Sequence, residues 1–135
     1  GLTIQYGKST KDDQTAGARD DVYHNGHILY SAGPVSVGYR YGTFEDGTDG
    51  ANDNEMEAYA IAFNVNDEFS LSFATQDKLF DDPSGTDVTE TSEAINASYT
   101  MGAMTIRGTF GEADAVGGVT GVTDEHMELS AIFAF

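Results

Sequence analysis

The strongest constraint on this chain is a period of two in its side-chain chemistry that recurs along nearly its whole length. In Val35-Ser36-Val37-Gly38-Tyr39-Arg40-Tyr41-Gly42 every odd position is β-branched or aromatic, and every even one is small or polar. The same alternation returns in Phe69-Ser70-Leu71-Ser72-Phe73-Ala74, in Ile95-Asn96-Ala97-Ser98-Tyr99-Thr100 and in Met104-Thr105-Ile106-Arg107. Side chains on a strand point alternately to opposite faces, so this pattern predicts strands with two chemically different sides. A helix would place its apolar residues at spacings of three and four, and that pattern is missing. Reading the chain in this way places eight strands near 1–9, 22–32, 35–44, 56–65, 68–76, 94–101, 104–111 and 126–135.

The connections between these strands alternate in kind. Three are tight, at Gly33-Pro34, Asn66-Asp67 and Gly102-Ala103, where Gly, Pro, Asn and Asp supply hairpin backbone angles. The other four, near 10–21, 45–55, 77–93 and 112–125, are long, polar and mostly acidic. Strict alternation of short and long puts every tight turn at one end of the sheet and every long loop at the other. Transmembrane β-barrels have that anatomy, whereas a Greek-key sandwich has no reason to sort its loops.

Composition is consistent with this and removes several function classes. The chain has 135 residues in what reads as a single segment over 1–135, with 6 basic and 23 acidic side chains and a formal net charge of −17. No cluster of Lys and Arg is present to hold nucleic-acid phosphates. Cysteine is absent, which excludes disulfides, thiol nucleophiles and thiolate metal sites. No apolar run approaches the roughly 20 residues of a membrane-spanning helix. The start, Gly1-Leu2-Thr3-Ile4-Gln5-Tyr6, lacks the pattern of a signal peptide. Barrel strands escape such tests because their alternating faces average out.

One predicted face collects Leu2, Ile4, Val37, Ile61, Phe73, Ile95, Leu129 and their like, with Tyr30, Tyr39, Tyr41, Tyr99, Phe133 and Phe135 as candidate interfacial aromatics. The other face is small and polar, and Gln5, Arg40, Asn64, Gln76, Asn96, Arg107 and Glu128 are its candidate pore-lining residues. A closed eight-stranded barrel must fill its interior with side chains. Ser, Ala, Gly and Thr would leave voids there, so the polar face suits a wider, hydrated cylinder.

Two segments carry a resemblance to a known family. The hairpin His27-Ile28-Leu29-Tyr30-Ser31-Ala32-Gly33-Pro34-Val35-Ser36-Val37-Gly38-Tyr39 resembles hairpins of alphaproteobacterial general porins. The ending Met127-Glu128-Leu129-Ser130-Ala131-Ile132-Phe133-Ala134-Phe135 resembles the terminal strand of outer-membrane proteins, whose final Phe is read by the barrel-assembly machinery. The resemblance implies an all-β transmembrane antiparallel barrel of about 16 strands, of which these would be the last eight. It also implies an outer-membrane location, a homotrimer, contact with membrane lipid and lipopolysaccharide, and passage of small hydrophilic solutes. Arg40 and Arg107 match the basic wall residues of such porins in type. The early strands and a clear constriction loop are not seen in the sequence.

Competing chemistry is thin. Arg40 and Arg107 either set a transverse field in a pore or pair with carboxylates such as Glu112. The acidic loops 45–55 and 77–93 offer Ca²⁺ ligands but lack EF-hand spacing. His24, His27 and His126 fall on separate or opposing faces, so no metal site is expected. No nucleophile elbow accompanies any Ser, and Gly117-Gly118-Val119-Thr120-Gly121 precedes no helix, so neither an enzyme nor a phosphate cradle is expected. Besides a porin wall, the pattern admits a complete eight-stranded barrel serving as anchor or adhesin. A soluble acidic β-sandwich with calcium-binding loops is the third reading.

Overall fold

The computed structural model describes residues 1–12, 19–47, 53–82 and 85–134. They form one sheet of eight strands in chain order, each antiparallel to the next. The strands are β1 (Leu2–Lys11), β2 (Asp21–Ala32), β3 (Val35–Glu45), β4 (Asn54–Asn64), β5 (Phe69–Phe80), β6 (Val88–Met101), β7 (Met104–Asp114) and β8 (Thr123–Phe133). β1 and β8 each pair on one side only, so the sheet is open.

The register is unbroken across the sheet, which lets the alternation sort every side chain. Leu2, Tyr30, Val37, Ile61, Phe73, Ile95, Phe110 and Met127 stand opposite one another in a single row spanning all eight strands. One residue along, the row on the other face reads Thr3, Leu29, Gly38, Ala60, Ala74, Ala94, Gly111 and His126. A one-residue slip anywhere would exchange the faces, so the pattern itself holds the register.

Two of the tight turns match expectation. Gly33-Pro34 and Gly102-Ala103 are two-residue links whose glycines have φ of 57° and 59°, a conformation that costs other L-residues energy. The third is longer than expected, because strand pairing stops at Asn64 and resumes at Phe69. There the Asn66 side-chain oxygen accepts from the backbone N–H groups of Glu68 and Phe69 at 2.9 and 2.8 Å. That side chain shapes the turn in place of a two-residue hairpin.

The long connections are shorter than expected, since β5 runs on to Phe80, β6 begins at Val88 and β7 reaches Asp114. Glu55, Asp77, Glu90, Glu93, Glu112 and Asp114, expected in loops, are therefore strand residues. The β7–β8 connection contains a 3₁₀ turn at Val116–Gly118.

No hydrophobic residue among those described is buried. Met127 and Leu129 on the apolar face are 82% and 78% exposed. Burying a Val, Leu, Ile, Phe or Met side chain contributes about 1.5–3 kcal/mol. Leaving the central row in water would forgo roughly 10–20 kcal/mol, as much as the whole net stability of a typical domain. A single-layer sheet of this kind needs an apolar medium against that face. It is not the two-layer core of a sandwich.

Candidate pore-lining face

All seven residues expected to line a pore fall on the polar face. Gln5, His27, Arg40, Ala58, Gln76 and Ser92 form one row, and Asn64, Ser70, Ser98, Arg107 and Ser130 form another. Asn96 and Glu128 lie in a third row with Ser31, Ser36, Ala62, Ser72 and Thr109. The small side chains of these rows leave concavities. Ala62, Asn64, Ser70, Ser72, Asn96, Ser98 and Arg107 share one of about 360 Å³. Within the wall, hydroxyls and amides satisfy one another across strands. Thr109 donates to Asn96 Oδ1 at 2.7 Å, the Ser31 and Ser36 hydroxyls meet at 2.8 Å, and those of Thr100 and Thr105 at 3.0 Å.

The charges on this face balance. By register, Lys11, Arg40, Lys78 and Arg107 share it with Asp21, Glu90, Asp124 and Glu128. Lys11 and Asp21 form an ion pair at 3.4 Å, and His126 approaches Glu128 at 3.7 Å. Arg40 is held by Asn25, whose side-chain oxygen, turned toward the guanidinium, accepts from Nη2 at 2.9 Å and Nε at 3.2 Å. Pairing of Arg107 with Glu112 is ruled out by parity, because five residues along one strand separate opposite faces.

The apolar face changes character toward the loop end. Tyr39 and Tyr59 lie with ring centroids 5.0 Å apart, and both hydroxyls donate to Glu57, at 3.1 and 3.2 Å. Beyond them this side carries Glu45, Glu55, Glu57, Asp77, Glu93, Glu112, Asp114 and Glu125 against a single strand cation, Lys8. Acids expected in the loops thus form a belt on the strands above the tyrosines. The boundary with the apolar zone lies near Glu57 on β4 and opposite Thr75 by Glu93 on β6, as expected where strands tilt against the plane of an apolar layer. Tyr30, Tyr41, Tyr99 and Phe133 share this face, and Phe135 lies outside the described residues.

The three histidines do not converge. His24 accepts or donates at 2.7 Å with the Tyr6 hydroxyl on the apolar face, while His27 and His126 sit on the polar face of β2 and β8. Among the described residues no group of three or more His, Asp or Glu side chains is arranged to hold a metal ion. The acidic loops considered for Ca²⁺ fall partly outside those residues. The pKa of the Asp81 carboxyl is raised from its ordinary value by local desolvation and by neighbouring Asp87, Asp53 and Asp82. No described helix is long and apolar enough to cross a membrane, which says nothing of strands.

One feature of the polar face escaped the sequence reading. Tyr23, Phe44 and Phe80 occupy polar-face positions near the loops, where aromatic residues break the alternation. The signal was their parity: Phe44 follows Tyr39 and Tyr41 by an odd step.

No protein family and no curated protein matches the chain. A solved structure of a porin, refined at 1.8 Å, superimposes with a TM-score of 0.78 at 16% identity, covering 98% of this chain and 47% of that one. The chain thus spans about half the length of the porin it resembles. The fold is all-β, an open antiparallel sheet with the architecture of a porin barrel fragment.

Proposed function

We propose that this chain is the last eight strands of an outer-membrane general porin of the alphaproteobacterial type. Closed by further strands, it forms part of the wall of a water-filled channel for passive diffusion of small hydrophilic solutes and ions. The observation that carries this reading is the single-layer sheet with one apolar and one small, polar face. Such a sheet is stable only between lipid and water. Its two free edges must be paired, because unpaired backbone groups are too costly in hydrocarbon.

Selectivity on this reading comes from width and wall charge. Arg40 and Arg107 present fixed cations to passing ions, and Glu90, Asp124 and Glu128 present anions. The acidic belt with its tyrosines sits at the outer headgroup level, facing lipopolysaccharide, and the assembly is a homotrimer. The small, void-leaving polar face speaks against a complete eight-stranded anchor, whose interior would need filling. Liposomes carrying the full-length protein test this in a swelling assay with neutral sugars of graded size. Swelling should be fast for the smallest sugar and fall steeply with size. Swelling no faster than in protein-free liposomes would overturn the reading.

A further inference from the structure

Near the loops, the polar face is not uniformly polar. One cross-strand row reads Ser9, Tyr23, Phe44, Asn54, Phe80 and Val88, and the next reads Gly7, Asn25, Gly42, Met56, Lys78 and Glu90. The Tyr23 and Phe44 rings stack with centroids 4.6 Å apart. Lys78 Nζ lies 4.3 Å from the centroid of the Phe80 ring. The Tyr23–Phe44 stack and Lys78 line a hollow of about 680 Å³ together with Asn25, Met56 and Glu90. That is within the usual size range of small-molecule sites. Gly42 forms part of its lining, where a Cβ would come within 3.3 Å of the Asn25 amide and 3.5 Å of the Met56 methyl.

The two opposite charges in the lining, Lys78 and Glu90, have different neighbours. Lys78 and Glu90 are direct cross-strand partners, yet Lys78 leans over Phe80. Glu90 instead accepts the backbone N–H of Gly117 at 2.7 Å, from the β7–β8 connection. Gly118 of that connection packs against the Phe80 ring, with φ of 76°. Neither the ring nor a neutral N–H cancels a charge, but the two groups are turned differently: the Lys78 ammonium lies over the ring, while one Glu90 oxygen is held toward the loop. Asn25, also in the lining, holds the Arg40 guanidinium alongside. An aromatic stack beside the Lys78 ammonium matches a solute with a flat apolar body and an anionic end.

We infer that this cavity is a binding subsite for small solutes that join a planar aromatic ring to a carboxylate. The inference rests on reading the polar face as a pore wall. The ring lies against Tyr23, Phe44 and Met56, and the carboxylate meets Lys78. Solutes of this class are retained at the mouth before they pass, whereas sugars and simple salts are not.

Calorimetric titration of 2-naphthoate into the detergent-solubilised full-length protein tests this, with acetate and 2-naphthylmethylammonium as comparison probes. Naphthoate should bind saturably and acetate should not. Phe44→Ala and Lys78→Gln should each weaken naphthoate by roughly tenfold, the second without touching the ring stack. Naphthoate binding no tighter than acetate, or unaltered by both substitutions, would refute the site. Tighter binding of the ammonium probe would refute its sign. A protein that conducts ions but binds no naphthoate loses the subsite and keeps the pore. One that binds naphthoate but does not conduct loses the pore reading alone.

Discussion

Replacing Phe73 by Arg tests the assignment of faces where its consequence is largest. Phe73 lies within the apolar row, between Ile61 and Ile95. Losing the phenyl contact with lipid costs about 1.5–3 kcal/mol. Placing a guanidinium at mid-bilayer depth on the lipid face of a barrel costs about 2–4 kcal/mol more. The total, roughly 4–7 kcal/mol, rivals the net stability of many domains. Ser72, its neighbour, faces the other way between Ala62 and Asn96, where an Arg would hang in water and cost less than about 1 kcal/mol. Thr75 lies on the same face as Phe73, one step nearer the acidic belt, and Thr75→Arg should fall between the two. The assay is urea-dependent refolding of the full-length protein into phospholipid vesicles, followed by circular dichroism. Equal losses for Ser72→Arg and Phe73→Arg would refute the two-faced wall. A loss at Thr75 as large as at Phe73 would replace the depth-graded bilayer with a protein core.

Gly33→Ala and Gly102→Ala force side chains into left-handed backbone and should each cost about 1–2 kcal/mol in the same assay. Gly108→Ala, in open space at negative φ, should cost nothing, and equal effects at all three would contradict the turn geometry. Asp81, with its pKa raised in the fold, opposes stability when ionised, fully so above its folded pKa and not at all below its unfolded one. Asp81→Asn should therefore raise thermal stability at neutral pH, and the gain should vanish on acidification. A gain that persists at low pH would contradict the charge origin. Arg40→Ala removes a wall cation and should shift the reversal potential across a KCl gradient toward cation preference, most at low salt. An unchanged potential would place Arg40 away from the ion path.

Much of this fold was legible because the sheet has two chemically different faces, which alternation along each strand encodes. Val35 to Gly42 and Phe69 to Ala74 disclosed their faces directly, and each named polar-face residue has the expected parity. Strand ends beyond the apolar zone were not legible. There both faces are polar, so Asp77, Thr89, Glu90 and Glu93 continue the β5–β6 pairing with no hydropathy contrast to announce it. For the same reason carboxylates read as loop residues proved to be strand residues, most of them on the face that carries the apolar rows. The four-residue Val65–Glu68 turn was misjudged because its shape depends on the Asn66 side chain as well as on backbone preference. The aromatic cavity was invisible for a different reason. It is assembled from Tyr23, Phe44, Met56 and Lys78 on four separate strands, and their neighbourhood exists only through the register.

Single-channel recording of the full-length protein in planar lipid bilayers tests the central claim most directly. A wide hydrated wall predicts large, long-lived conductance steps that scale with bulk electrolyte conductivity and arrive in groups of three. Folded, membrane-inserted protein that gives only small or absent steps would contradict a water-filled pore and leave a closed, compact barrel as the better account.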